Sequence, residues 1–571
     1  MHIKTVQVVW HSRKPVLSLD FHTNSRLVTG GADATVRVWR IKDSDDDVTV
    51  EHLADLTTHL GSVNVVRFSP DRRVLATGAD DSKILLWENT SAAPEKEGGA
   101  PGAAGGKGEE GAGEGAGAAG AATTTNTPFG AAWGSAEGES WRITKMLIGH
   151  SADVYDISWL ASGDALVSGS VDNNVLLWRM GKEKPVSMIR DSDNYVQGVA
   201  FDPFGEFFLS HSVDRTLRIY RARAGTGSMP LLEPVAAGTS DAELAVSDDA
   251  PKFALPAYRK KPLVLRKALY NTSRNGNSEA GGASNEAGSA SKTTTCKRYS
   301  MWADEATSTF FRRLAVAPDG SIVVVPTGVY KESHGADKVN TTYVLPRHEL
   351  DTPIMHLPSP EMATVAVRFC PHLFELNEAV SETPAALPLP YRMVFAVASI
   401  DTVTVYETQT MRPVALVSNV HCAAITDLAW SPNARYLAVA SQDGYVTLLK
   451  FGDGELGTFL PEAKYPARLR RVRAALGITA ATDGVLKTMP SAAPKPAPVA
   501  NILVPRKKAK KAPAANQATT SPGKRPREPA AQATSAAQST AGDAVVVIED
   551  EEDAPPAKKA KTLMAGAAAS L

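Results

Sequence analysis

Four residues recur along this chain at fixed separations: a histidine, a hydroxyl residue 18 positions later, an aspartate 4 further on and a tryptophan 6 beyond that. His11, Thr29, Asp33 and Trp39 form one set; His59, Thr77, Asp81 and Trp87 form a second; His150, Ser168, Asp172 and Trp178 form a third. Sets held in one register mark a repeated structural unit. Worn copies follow, with Ser210, Asp214 and Tyr220 lacking the histidine, and His421 with Asp443 and Leu449 in the tryptophan position. Two further units read as "RRLAVAPDGSIVVVPTGVY" with "NTTYVLPR", and "ATVAVRFCPHLFEL" with "RMVFAVASIDTVTVYETQ", which brings the count to seven.

Each unit reads as strands. "VNVVRFSPDRRVLATGADDSKILLW" alternates apolar runs of strand length with a Ser-Pro-Asp turn and an acidic tight turn, and "TVEHLADLT" supplies a fourth run after the first unit. A four-stranded unit repeating about every 40 to 45 residues is the pattern of a β-propeller blade, so the expected fold is all-β, a seven-bladed propeller. The segment "IKTVQVVW", residues 3–10, precedes the first histidine and has no blade of its own. It is expected to close the ring as the outermost strand of the last blade, whose other strands come from residues 424–451.

The recurring set contains the side chains of a hydrolytic triad, but a hydrolase needs one such set in a cleft, and here it returns blade after blade. A buried histidine needs partners, and a hydroxyl, a carboxylate and an indole N–H complete a satisfied network, so these residues are read as blade structure. The rest of the chain offers no enzyme motif: neither a phosphate-cradling G-x-x-x-x-G-K-[ST] loop nor an H-E-x-x-H pair occurs. Cys296, Cys370 and Cys422 are scattered without a C-x-x-C spacing, which argues for a reducing compartment and against a zinc site. No catalytic residue, metal or cofactor is expected. With 43% hydrophobic residues and a net charge of -1, the chain has material for one large domain, and it contains neither an apolar run of membrane-spanning length nor a secretory leader pattern.

Two Gly/Ala/Ser-rich segments, about 91–138 and 224–295, interrupt the repeats after a third strand and are expected to be disordered surface insertions. Within the second, "YRKKPLVLRKALY" is a solvated loop, a segment that folds back onto the propeller, or one that contacts a partner. The propeller is expected to occupy 1–458 and a disordered tail 459–571. In that tail, Arg506, Lys507, Lys508, Lys510 and Lys511, then Lys524, Arg525 and Arg527, form basic clusters that read as nuclear localisation signals, with "AKKAK" at 557–561 a third. No aromatics are interleaved for base stacking, which favours import over nucleic-acid contact. Ser521 stands in a Ser-Pro-Gly-Lys sequence suited to a proline-directed kinase, and its phosphate would offset nearby positive charge. Val545, Val546, Val547 and Ile548, followed by acidic residues, resemble a SUMO-interaction motif; contact with a basic protein surface, or no specific role, are the other readings.

Several stretches exceed what a generic repeat requires. "VVWHSRKPVLSLDF", "YVQGVAFDP", "FFRRLAVAPDGS", "LPYRMVFAVASIDTVTVYETQ" and "DLAWSPNARYLAVASQDGY" together resemble the middle, WD-repeat subunits of chromatin assembly factor one, over about residues 1–455 apart from the insertions. The resemblance implies a nuclear, non-enzymatic histone chaperone subunit that helps deposit histones H3 and H4 on DNA during replication and repair. It implies as partners the large and small subunits of that factor and the anti-silencing histone chaperone, with no membrane and only indirect DNA contact. It also singles out "ARLRRVRAALGI", where Arg470, Arg471, Val472 and Leu476 match the segment that binds the anti-silencing chaperone as an extended peptide. The stretch departs from the family at Ala474-Ala475, where a turn-forming Thr-Pro is usual, and its helix-forming residues suit a basic helix capping the propeller instead.

Clustered carboxylates for basic histones are few, Asp43, Asp45, Asp46, Asp47 and the terminal tract, so the main acidic surface is expected on another subunit. Two other classes fit a propeller. Replication-independent WD-repeat histone chaperones usually carry a second large domain after theirs, where a disordered tail is expected here. Ubiquitin-ligase substrate receptors often carry W-D-x-R, whereas the repeat tryptophans here precede Arg40, Glu88 and Arg179.

Overall fold

In the computed structural model, residues 1–475 are described except for 92–138, 222–261, 273–294 and stretches of six residues or fewer, together with the strand Ile548–Asp550. Seven four-stranded antiparallel sheets succeed one another in chain order, each with its first strand innermost and its fourth outermost. Blade one is Val16–Thr23, Arg26–Gly31, Val36–Asp43 and Val48–Leu56, and blades two and three span 63–148 and 154–189. Blade four joins Val196–Phe201, Phe207–Ser212, Thr216–Arg221 and Leu263–Leu265, and blades five and six span 315–358 and 364–418.

Strand β1 (His2–Val6) closes the ring as expected. It pairs antiparallel with Val446–Lys450, from His2 opposite Lys450 to Val6 opposite Val446, beside Tyr436–Ser441 and Ile425–Trp430 of blade seven. Trp10 follows it and is fully buried, its ring 4.7 Å from that of Trp39 in blade one. No blade buries its faces alone: the apolar core divides into seven clusters, one between each pair of neighbouring blades. This is the quasi-one-dimensional packing of a repeat protein bent into a circle.

The first insertion falls between the third and fourth strands of blade two, and its bulk lies outside the described residues. The second is interrupted by ordered chain. Leu263–Leu265 pairs with blade four's third strand, and Leu265 is buried in the core shared with blade five. Of the readings of "YRKKPLVLRKALY", the fold-back is therefore the one its described residues adopt, because blade four needs an outer strand and Leu263–Leu265 supplies it. Lys267–Thr272 and Thr295–Ser300 then form a hairpin, along whose edge Ile548–Asp550 runs in parallel, Ile548 opposite Cys296, Glu549 opposite Lys297 and Asp550 opposite Arg298.

The boundary expected at 458 falls inside packed chain. Phe459 bridges to Phe374, a 3-10 turn spans Glu462–Lys464, and helix α1 (Ala467–Ala475) follows. Leu460, Tyr465 and Leu469 join the core between blades five and six, so these residues belong to the propeller by burial.

Candidate interaction surfaces and the residues that build them

The repeated set forms the same network in three blades. His11 Nδ1 lies 2.8 Å from Asp33, and its Nε2 lies 2.8 Å from Thr29 Oγ1, which accepts the Trp39 indole N–H at 2.9 Å. His59 stands 3.0 Å from Asp81 and 2.7 Å from Thr77, and His150 3.0 Å from Asp172 and 2.7 Å from Ser168. Trp87 and Trp178 donate to those hydroxyls at 3.0 and 2.9 Å. The order is consistent: indole donates to hydroxyl, hydroxyl to Nε2, and Nδ1–H to carboxylate. Thr29, Thr77 and Ser168 are 0% exposed, so no substrate reaches the hydroxyl. Burial lowers the pKa of His11 and His59 despite their aspartates. Burial pushes the Asp33 carboxyl up, but the hydrogen bond and charge of His11 outweigh it and hold Asp33 down at about 2.

Worn units show how the network degrades. In blade four the histidine slot is occupied differently: Arg218 reaches Asp214 at 2.8 Å and Ser192 at 3.2 Å, so a guanidinium stands in for the imidazole. In blade seven His421 keeps Asp443 at 3.0 Å, but Val439 occupies the hydroxyl position and His421 Nε2 is buried without a partner among the described residues.

The innermost strands carry a second pattern, which the repeat spacing does not announce. Register shifts follow Val16, Val63, Val154, Val196, Thr364 and Ile425, near the start of the first strand in six blades. Such bulges re-aim side chains. Among the residues just past them are the buried Ser18, Asp156 and Asp427. The segment "FFRRL" crosses this centre as it enters blade five. Arg313, 0% exposed, donates to the carbonyls of Leu17 and Thr426 at 3.1 Å and of Asn64 at 2.6 Å, and pairs with Asp427 at 2.6 Å. One guanidinium thus ties blade five to blades one, two and seven. Asp427 also accepts from Ser18 at 2.8 Å and pairs with Arg67 at 2.8 Å and Arg368 at 3.0 Å. Phe311 stacks beneath Arg313, with 4.0 Å between guanidinium carbon and ring centre. Gly198, in "YVQGVAFDP", is where the Arg312 backbone passes; a Cβ there would lie 1.9 Å from the Arg312 carbonyl oxygen. Two of the stretches that exceed the generic repeat therefore meet in space. No spacing rule connects residues about a hundred positions apart, so only the fold reveals this.

"LPYR" is likewise an internal anchor. Tyr391 donates to Asp319 at 2.7 Å, and Arg392 donates to the Glu375 carbonyl at 3.0 Å. Near the opposite end of the inner strands, Asp153 stands beside Asp80, and burial together with that charge pushes its carboxyl up to about 6. Asn64 donates to Asp80 at 2.7 Å, and the exposed Tyr195 and Leu60 lie in the neighbouring loops.

Helix α1 sits on the face formed by the turns between first and second strands. Arg468 pairs with Glu206 and lies 4.2 Å from the Phe204 ring centre, and Glu206 also pairs with Arg347 at 2.6 Å. Arg473 bonds Glu462 at 2.5 Å. Leu469 and Val472 are buried, while Arg470 and Arg471 are half-buried with no ionic partner among the described residues. The extended form expected for Arg470, Arg471 and Val472 is thus not the one adopted; Ala474 and Ala475 continue the helix where a proline would have stopped it. Leu476, the basic clusters from Arg506 to Arg527, Ser521 and Val545 to Val547 lie outside the described residues. Ile548 lies in the short strand beside Cys296. Asp43 is engaged internally, with Lys450 at 2.7 Å and Arg435 at 3.2 Å, and Asp45 to Asp47 are not described.

Comparison with known proteins matches residues 1–100, 122–229 and 270–456 to the model of the CAF1B/HIR1 β-propeller domain. The mouse CAF1B protein of chromatin assembly factor 1 is 35% identical over 476 residues, 81% of this chain and 69% of that protein. The rice chromatin assembly factor 1 subunit FAS2 homolog is 35% identical, over 79% of this chain and 73% of that one. Protein HIR1 of Yarrowia lipolytica is 26% identical over 78% of this chain and 37% of its own length. A propeller closed by its first strand, matched along most of its length, belongs to the CAF1B/HIR1 β-propeller family.

Proposed function

We propose that this chain is a non-catalytic subunit of a nuclear histone-chaperone complex that assists deposition of histones H3 and H4 during replication- and repair-coupled nucleosome assembly. The observation that carries the reading is the 35% identity to mouse CAF1B of chromatin assembly factor 1 across 81% of the chain. The hydroxyl, imidazole and carboxylate groups that would suggest hydrolysis are sealed inside blades, which fits a scaffold whose work is recognition. In this reading the propeller holds the large subunit within a three-subunit complex that includes the small one. Residues 470–476 recruit the anti-silencing histone chaperone, and DNA is contacted only through partners. The basic clusters at Arg506–Lys511 and Lys524–Arg527 direct import, Ser521 accepts a phosphate, and Val545–Ile548 pairs with a strand edge.

The alternative is a replication-independent WD-repeat histone chaperone, and the matched family model carries the names of both CAF1B and HIR1. Affinity purification from the chain's own nuclei, comparing wild type with the Arg470→Ala/Arg471→Ala double variant, tests the chaperone reading. Recovery of a large charged subunit and a second WD-repeat protein, with the anti-silencing chaperone lost only in the variant, is the expected result. Recovery of ubiquitin-ligase adaptors without histone-handling proteins would sink the proposal.

A further inference from the structure

Helix α1 holds the proposed chaperone-binding residues in a state that differs from the one an extended peptide would need. Its four arginines divide into two pairs. Arg468 and Arg473 fasten the helix, through Glu206 with the Phe204 ring and through Glu462. Arg470 and Arg471 have no ionic partner among the described residues. The apolar residues divide differently, for Leu469 at 7% and Val472 at 5% exposure both face the protein, and Leu469 joins the core of blades five and six.

We propose that α1 is a latch: docked, it offers Arg470 and Arg471 for first encounter with a partner's carboxylates, and only on release does Val472 become available as an apolar anchor. This rests on the reading of 470–476 as a chaperone-binding segment and adds its regulation. Nine residues make a helix too short to persist in water without tertiary contacts, so once α1 leaves the propeller nothing holds it helical and an extended conformation is open to it. A partner that captures the extended form meets an affinity reduced by the fraction of time the latch is open. Long-range attraction between the arginine pair and an acidic partner still operates on the docked state, so the latch slows completion of binding more than encounter.

The test uses the full chain, a synthetic peptide of residues 462–482, and purified anti-silencing chaperone. An Arg468→Ala/Leu469→Ala variant loosens the latch without altering Arg470, Arg471, Val472 or Leu476, and a peptide with the same changes corrects for any direct contribution. The free peptide is expected to bind at least tenfold more tightly than the wild-type chain, with the variant chain within about threefold of its own peptide. Hydrogen exchange of amides 470–475 is expected to be slow in the wild type and fast in the variant, while protection of the strands of blades one to three stays unchanged. Equal affinities for wild-type chain, variant chain and peptide, or exchange at coil rates in the wild type, overturn the latch alone. A peptide that does not bind the chaperone overturns the underlying reading and the latch with it.

Discussion

Ser168 illustrates how much depends on one hydroxyl. It accepts from Trp178 and donates to His150 within a blade that is fully closed over it. Ser168→Ala leaves both partners unsatisfied and is expected to cost about 2–4 kcal/mol, read as a lower urea midpoint at unchanged slope. The converse is available in blade seven, where Val439→Thr gives His421 Nε2 a donor and is expected to stabilise by up to about 1 kcal/mol in the same assay. Acid acts on the same network. His11 and His59 have lowered pKa values, so the unfolded chain binds more protons and stability falls as pH drops below about 6.5. Asp33 has the same sign in a lower window: its contribution is complete above its ordinary value near 3.8 and is lost as pH falls through about 2. Thermal midpoints measured from about pH 8 to about pH 2 are expected to decline in two stages, and a flat profile between about pH 7.5 and 5 would contradict the first. These sets are legible in sequence because each lies within 29 consecutive residues. The substitution of Arg218 for a histidine is not, because the arginine comes from the strand after the aspartate rather than from the loop before the blade.

At the scale of elements, strands with clear alternation are legible, and the short ones are hidden by their surroundings. Leu263–Leu265 has three residues, too few for a period, and low-complexity sequence flanks it. Only the requirement that blade four have a fourth strand identifies it. Helix α1 lies past the last recognisable unit, where basic composition suggests tail, and its burial depends on partners from blades five and six that sequence does not bring near. Truncation after residue 458 removes Leu460, Tyr465 and Leu469 from that core. It is expected to cost about 4 kcal/mol or more by comparison with large-to-small core substitutions, and to increase binding of a hydrophobic dye. An unchanged denaturation curve would show that the propeller ends where its repeats do.

For the whole molecule, the seven-fold count and the closure by β1 are both present in the spacing, whereas the centre is not. Arg313 and Asp427 are 114 positions apart and no spacing rule links the two, yet they join blades that are not neighbours in sequence. Asp427→Ala strands the guanidinium of the fully buried Arg313 and weakens the holds on Arg67 and Arg368, at an expected cost of about 3–5 kcal/mol by chemical denaturation. Removal of residues 1–10 deletes the outer strand of blade seven and withdraws Trp10 from beside Trp39. The shortened chain is expected to lose its cooperative transition, and the isolated peptide of residues 1–10, added in excess, to restore part of it.

That closure also sets a timetable. Strand β1 leaves the ribosome ahead of every blade, but its partner Val446–Lys450 comes about 440 residues later. At about 5–20 residues per second, β1 waits on the order of half a minute to a minute and a half with its hydrogen-bonding edge unmatched. During that interval an unpaired strand followed by a large indole is open to any other exposed edge, including that of a second nascent copy on the same message. The yield of closed ring is then expected to depend on polysome spacing and chaperone supply as well as on the stability of the finished ring.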